Sequence, residues 1–131
     1  MDERSNPPAW IEVRPGSVLR VTIPASYSDQ EFAQQFDQLQ HVLREAQESL
    51  RLLIVIKMQS RSTPSNRERA KRFFHTEKLM LKRTITRAAL VSDNVAIRGA
   101  IAAVRLLGLF PFPTKTFEDA AAAETWLSTG K

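Results

Sequence analysis

One segment constrains the fold more than any other: Arg51-Leu52-Leu53-Ile54-Val55-Ile56-Lys57. Its apolar residues run without a polar alternate between two cations. A strand with one wet face alternates apolar and polar side chains, because successive residues point to opposite faces. An unbroken apolar strand must be covered on both sides, which is the mark of a central strand in a parallel sheet. Parallel neighbours need crossover connections, so helices must flank it.

The flanking sequence supplies them. Ser28-Asp29-Gln30-Glu31 is a capping box, with Tyr27 and Phe32 placed as a hydrophobic staple. Phe32, Phe36, Leu39, Leu43, Ala46 and Leu50 then recur at helical spacing. Beyond the central strand, a Gln59–Asn66 loop ends in Thr63-Pro64, an N-cap followed by a first-position proline. The helix it opens is expected to run to about Leu79 and to bury Ala70, Phe73 and Phe74. Ile85 to Val91 reads as another strand. Ser92-Asp93-Asn94 then caps a helix with the stripe Ile97, Ala100, Ile101, Val104 and Leu107, ended by Gly108. Phe112–Thr116 reads as a short strand, and Glu118–Leu127 as an alanine-rich helix anchored by Trp126 and Leu127.

Upstream, Trp10–Arg14 and Val18–Ile23 are β-rich runs joined by Arg14-Pro15-Gly16-Ser17, and Pro24 ends the second. Proline and glycine at the middle positions predict a tight turn and a hairpin. The expected order is ββαβαβαβα: an α/β fold with a mixed, mostly parallel five-stranded sheet and helices packed on it. Residues 1–8 are expected to form a flexible tail, and 9–128 a single domain.

With 131 residues, the chain can bury roughly two-thirds of its unfolded surface and needs no staples. It has no cysteine, which excludes disulfides and thiol chemistry. No run approaches the ~20 apolar residues that cross a bilayer, so a membrane-spanning role is not expected. The polar N-terminus carries no apolar export segment, and the expected compartment is the cytoplasm. Charge is uneven. Lys57 to Arg87 holds ten basic residues against Glu68 and Glu77, about +8 in a chain of net +5, so the remainder carries about −3. Such asymmetry points to an anionic partner or to a solvated helix face.

In its order of elements the chain resembles the STAS superfamily (sulfate transporter and anti-anti-sigma), in its SpoIIAA-like or Sec14-like branch. The resemblance is carried by Arg87-Ala88-Ala89-Leu90-Val91-Ser92-Asp93-Asn94, Ile97-Arg98-Gly99-Ala100-Ile101, Pro111-Phe112-Pro113-Thr114-Lys115-Thr116-Phe117 and the closing Ala123-Glu124-Thr125-Trp126-Leu127. The strand Val18-Leu19-Arg20-Val21-Thr22-Ile23-Pro24 also fits. It covers about residues 9–128 and implies a stand-alone, non-enzymatic regulatory domain. Anti-anti-sigma members carry a phosphorylated serine in an Asp-Ser-Ser-Gly-Leu-like motif after the central strand. Here that place holds Gln59-Ser60-Arg61-Ser62-Thr63-Pro64-Ser65-Asn66, without the aspartate, glycine and leucine.

No catalytic motif is present: there is no G-x-S-x-G, Walker loop or G-x-G-x-x-G, and only four glycines in all. His41 and His75 lie on different helices without companions at metal-ligand spacing. Neither metal nor cofactor is expected, and the chain is not expected to be an enzyme. The candidate partner surface is Arg61, Arg67, Arg69, Lys71, Arg72 and Lys78, facing an acidic protein. The alternative is a small anion, nucleotide or lipid headgroup at Ser60, Ser62, Thr63 and Ser65, as a phosphorylation or anion site before a helix N-terminus. Nucleic acid is not the expected partner, because the second helix commits Phe73 and Phe74 to the core and leaves only charge. Oligomeric state stays open, a homodimer included.

Overall fold

A computed structural model describes residues 10–57, 63–108 and 110–129. The strands are β1 (Ile11–Arg14), β2 (Val18–Ile23), β3 (Leu50–Ile56), β4 (Ile85–Val91) and β5 (Thr114–Phe117). The helices are α1 (Asp29–Glu45), α2 (Pro64–Thr76), α3 (Lys78–Thr84), α4 (Val95–Leu106) and α5 (Ala120–Thr129). The sheet order is β1-β2-β3-β4-β5, with β1 antiparallel to β2 and every other pair parallel. β3 is the central strand, as its unbroken apolar run requires. The β1–β2 turn places Gly16 at φ 82° and Ser17 at φ 60°.

Alternate residues of β3 serve two cores. Leu50, Leu52 and Ile56 join Leu19, Val21, Ile85, Ala88 and Leu90 under α1, α2, α3 and α4. Leu53 and Val55 join Ala89 and Val91 under α5, through its Ala123 and Leu127. Ala89 and Ala123 are both fully buried, and their small side chains let α5 lie close on the strands. Two arginines of this second face cap α5. Arg51 donates to the Leu127 carbonyl at 3.1 Å and to the Gly16 carbonyl, and Arg87 donates to the Trp126 carbonyl at 3.1 Å. The Arg87 guanidinium also lies 5.3 Å from the Trp126 ring centroid. Cations at the last turn offset the unpaired carbonyls of a helix end.

The first face is built on aromatic rings. A row of edge and stacked contacts runs from Trp10 through Tyr27, Phe32, Phe36 and Phe73 to Phe74, where it meets Phe110 and Phe112. Centroid separations of 5.1 to 6.4 Å along it are those of favourable aromatic pairs. Most of these rings are only half-buried.

The structure departs from the expected elements in several places. The second helix breaks at Glu77 (φ −104°, ψ 24°), giving α2 and a separate α3, so an extra helix enters the ββαβαβαβα order. No glycine or proline marks the break. It is set by tertiary demand: α3 must bury Leu81 and deliver Ile85 to the sheet beside Leu50. Leu50, read as the last member of the α1 stripe, begins β3 instead. Within the Ser92-Asp93-Asn94 triplet it is Asn94 that caps α4, its side chain accepting from the Ile97 N–H at 3.1 Å. Ala100 and Leu107, placed on the α4 stripe by spacing, are exposed, while Ile97 is buried and Ile101 and Val104 half-buried. β5 and α5 each begin two residues later than expected.

Candidate functional site

α2 begins as its sequence directs. Thr63 is the N-cap, its hydroxyl accepting from the Asn66 N–H at 3.3 Å, and Pro64 takes the first position. The same turn makes a contact that local sequence does not reveal. The Asp29 carboxylate, at the start of α1, accepts from the Thr63 hydroxyl at 3.1 Å, the Ser65 hydroxyl at 3.4 Å and the Asn66 side-chain amide at 3.1 Å. Asn66 is buried, so Asp29 satisfies a group that water does not reach. The N-terminal end of α2 thus already faces a carboxylate of the chain itself, and an arriving anion would meet that charge. Nearby Tyr27 is pushed above its ordinary pKa near 10.0, first by burial and second by the Asp29 charge.

Ser60, Arg61 and Ser62 lie outside the described residues. Thr63 and Ser65 are exposed, with the partners just named. Arg67, Arg69, Lys71 and Arg72 on α2 and Lys78 at the start of α3 are all exposed. Arg67 and Lys71 of α2 and Lys78 of α3 border the space beneath α2, and Arg69 and Arg72 do not. Glu77 is half-buried and pairs with Arg44 of α1 at 3.5 Å, so its charge is directed away from the α2 cations. Among the described residues, no group of three histidine, aspartate or glutamate side chains could hold a metal ion. Nor is any described helix long and apolar enough to cross a membrane.

The family pattern described as SpoIIAA-like matches residues 18–128, nearly the whole chain. The chain belongs to the SpoIIAA-like family. The order of strands and helices is that of a SpoIIAA-like fold, and SpoIIAA-like domains are in general non-enzymatic regulatory and protein-interaction modules. No curated protein matches the chain. Among solved structures, a protein with unknown function from Arthrobacter sp. FB24, determined at 2.20 Å resolution, is similar at 19% identity. That comparison covers 91% of this chain and 98% of the other, with a TM-score of 0.29.

Proposed function

We propose that this SpoIIAA-like domain is a regulatory module that docks an acidic protein on α2 and the loop before it. The observation that carries the reading is a pair of cations on α2: Arg69 and Arg72 are exposed, and Glu77 is engaged by Arg44 of α1. A mainly basic surface, here broken only by Glu68 on α2, raises encounter rates with an acidic partner and disfavours basic ones. The Asp29 contact at the first turn also favours a macromolecular surface over an anion held at the helix end.

The test begins with capture from the host's extract and identification of the bound protein. Affinity is then measured between the two purified chains. Arg69→Glu with Arg72→Glu is expected to weaken the pair by about tenfold or more. Binding should also fall as salt rises, since exposed charges are screened over ~10 Å at 0.1 M. A folded double variant that binds as tightly as the parent would remove this surface from consideration.

A further inference from the structure

The face carrying the aromatic row does not close. Between the sheet and α1, α2 and α4 lies a cavity of about 970 Å³, and its mouth is the seam between α2 and α4. On the α4 side the lining residues Ala100, Ala103 and Leu107 are exposed, so the mouth reaches solvent there. The exposure does not stop at the mouth. It continues round the outward side of α4 through Val95, Ala96, Gly99 and Leu106. Val95, Leu106 and Leu107 are 73%, 84% and 74% exposed. By helical geometry these seven residues share one arc, turned away from Ile97, Ile101 and Val104. The arc carries no charge. Both arginines of α4 lie off it and bend back onto the chain, Arg98 donating to the Ser92 carbonyl at 2.7 Å and Arg105 to the Thr114 carbonyl at 3.1 Å. A continuous apolar surface of this kind marks a contact with another molecule.

We propose that α4 joins two copies of this chain, packed antiparallel about a two-fold axis. A two-fold contact must be complementary to itself, and the sequence of this arc is. Its two leucines stand at the C-terminal end, and its small residues fill the middle and much of the N-terminal end. Turned about on itself, the arc sets Leu106 over the partner's Ala96 and Gly99 beside the partner's Ala103. Gly99 has no function within the single chain, where an added Cβ would meet nothing within 4 Å. A glycine in mid-helix is destabilising relative to alanine, and a second backbone crossing close to it gives the residue a purpose. Charge also selects the occupant. An acidic or basic partner finds nothing to pair with on the arc, whereas a second copy strands no charge there. The area sets the strength. Seven residues fall well short of the ~20–30 a side of a standard interface, so the dimer is weak and depends on concentration. The partner's α4 lies along the mouth and takes Ala100, Ala103 and Leu107 out of water. Arg69 and Arg72, on α2, stay available for the acidic partner.

The test is sedimentation equilibrium of the full chain from about 1 μM to about 1 mM. A monomer–dimer equilibrium is expected. Each chain carries a net charge of +5, so screening by salt should tighten the dimer, opposite to its effect on the acidic partner. Leu106→Glu and Ala96→Lys should each weaken association by at least about tenfold. An equimolar mixture of those two variants should recover a dimer, because the new carboxylate on one copy meets the new ammonium on the other while the opposite end keeps its parent contact. Gly99→Leu improves helix propensity and should still abolish association, so that loss cannot come from unfolding. The Arg69→Glu, Arg72→Glu chain should associate at least as well as the parent. The proposal is overturned if the parent stays monomeric to about 1 mM, if its dimer dissociates as salt rises, if Leu106→Glu and Gly99→Leu leave it undiminished, or if the mixed variants remain monomers.

Discussion

On one side of the sheet α5 sets a fully buried Ala123 against a fully buried Ala89, and two arginines reach up from the strands to cap it. On the other side four helices stand over the same strands on a row of half-buried aromatic rings, with about 970 Å³ left between. Small residues bring backbones together and leave no room. Large rings act as spacers, and their flat faces cannot fill the gaps they create. The α5 side is therefore finished as a core, and the α1–α4 side as a container. Both are written into one strand, since β3 turns Leu53 to the first and Ile54 to the second.

Neighbouring substitutions in β3 should break or sharpen this contrast most strongly. Leu53 is fully buried in the close-packed face, and Leu53→Ala is expected to cost about 3–5 kcal/mol. Ile54 is only half-buried and already borders open space, so Ile54→Ala is expected to cost less than about 2 kcal/mol. Urea denaturation of the two variants decides the matter. Equal losses would mean that the cavity face is as tightly packed as the other, and that the container does not exist in solution.

Periodicity alone makes both isoleucines of β3 look like full core residues, because a pattern of apolar positions says which way a side chain faces and not how far away its cover lies. That is why the central strand, the hairpin, the Ser28 capping box and the Thr63 cap were legible, and the cavity was not. The α4 stripe fails for the same reason. Ala100 and Leu107 share a face with Ile97, but the helix meets the sheet along only part of that face. Asp29 was legible only as part of the Ser28 capping box that opens α1. Its bonds to Thr63, Ser65 and Asn66 join elements that sequence places far apart, and no local signal encodes them.

A smaller effect is expected where that link ties α1 to α2 at the rim of the container. Asp29→Ala leaves the buried Asn66 amide without its carboxylate, and should cost about 1–3 kcal/mol. Asp29→Asn keeps an acceptor oxygen and should cost less. If the alanine variant instead unfolds at the parent's urea midpoint, water replaces the carboxylate freely and this end of the cavity face is as open as the mouth.

The smallest effect concerns Tyr27, at the same rim. Burial first and the Asp29 charge second raise its phenol above the ordinary value near 10.0. In the unfolded chain the phenol ionises near that ordinary value, while the folded chain still holds its proton. Above pH 10.0 the folded state thus binds more protons than the unfolded one, and stability must fall as pH rises. The contribution is complete below pH 10.0 and disappears as pH climbs through the raised folded value. Tyr27→Phe removes the ionisable group, so its stability should decline less steeply over that range than the parent's. Asp29→Asn should narrow the difference without abolishing it, because burial is the larger cause. Parallel curves for the parent and Tyr27→Phe above pH 10.0 would mean that the phenol titrates as in water, and that the Tyr27 end of the aromatic row is open to solvent.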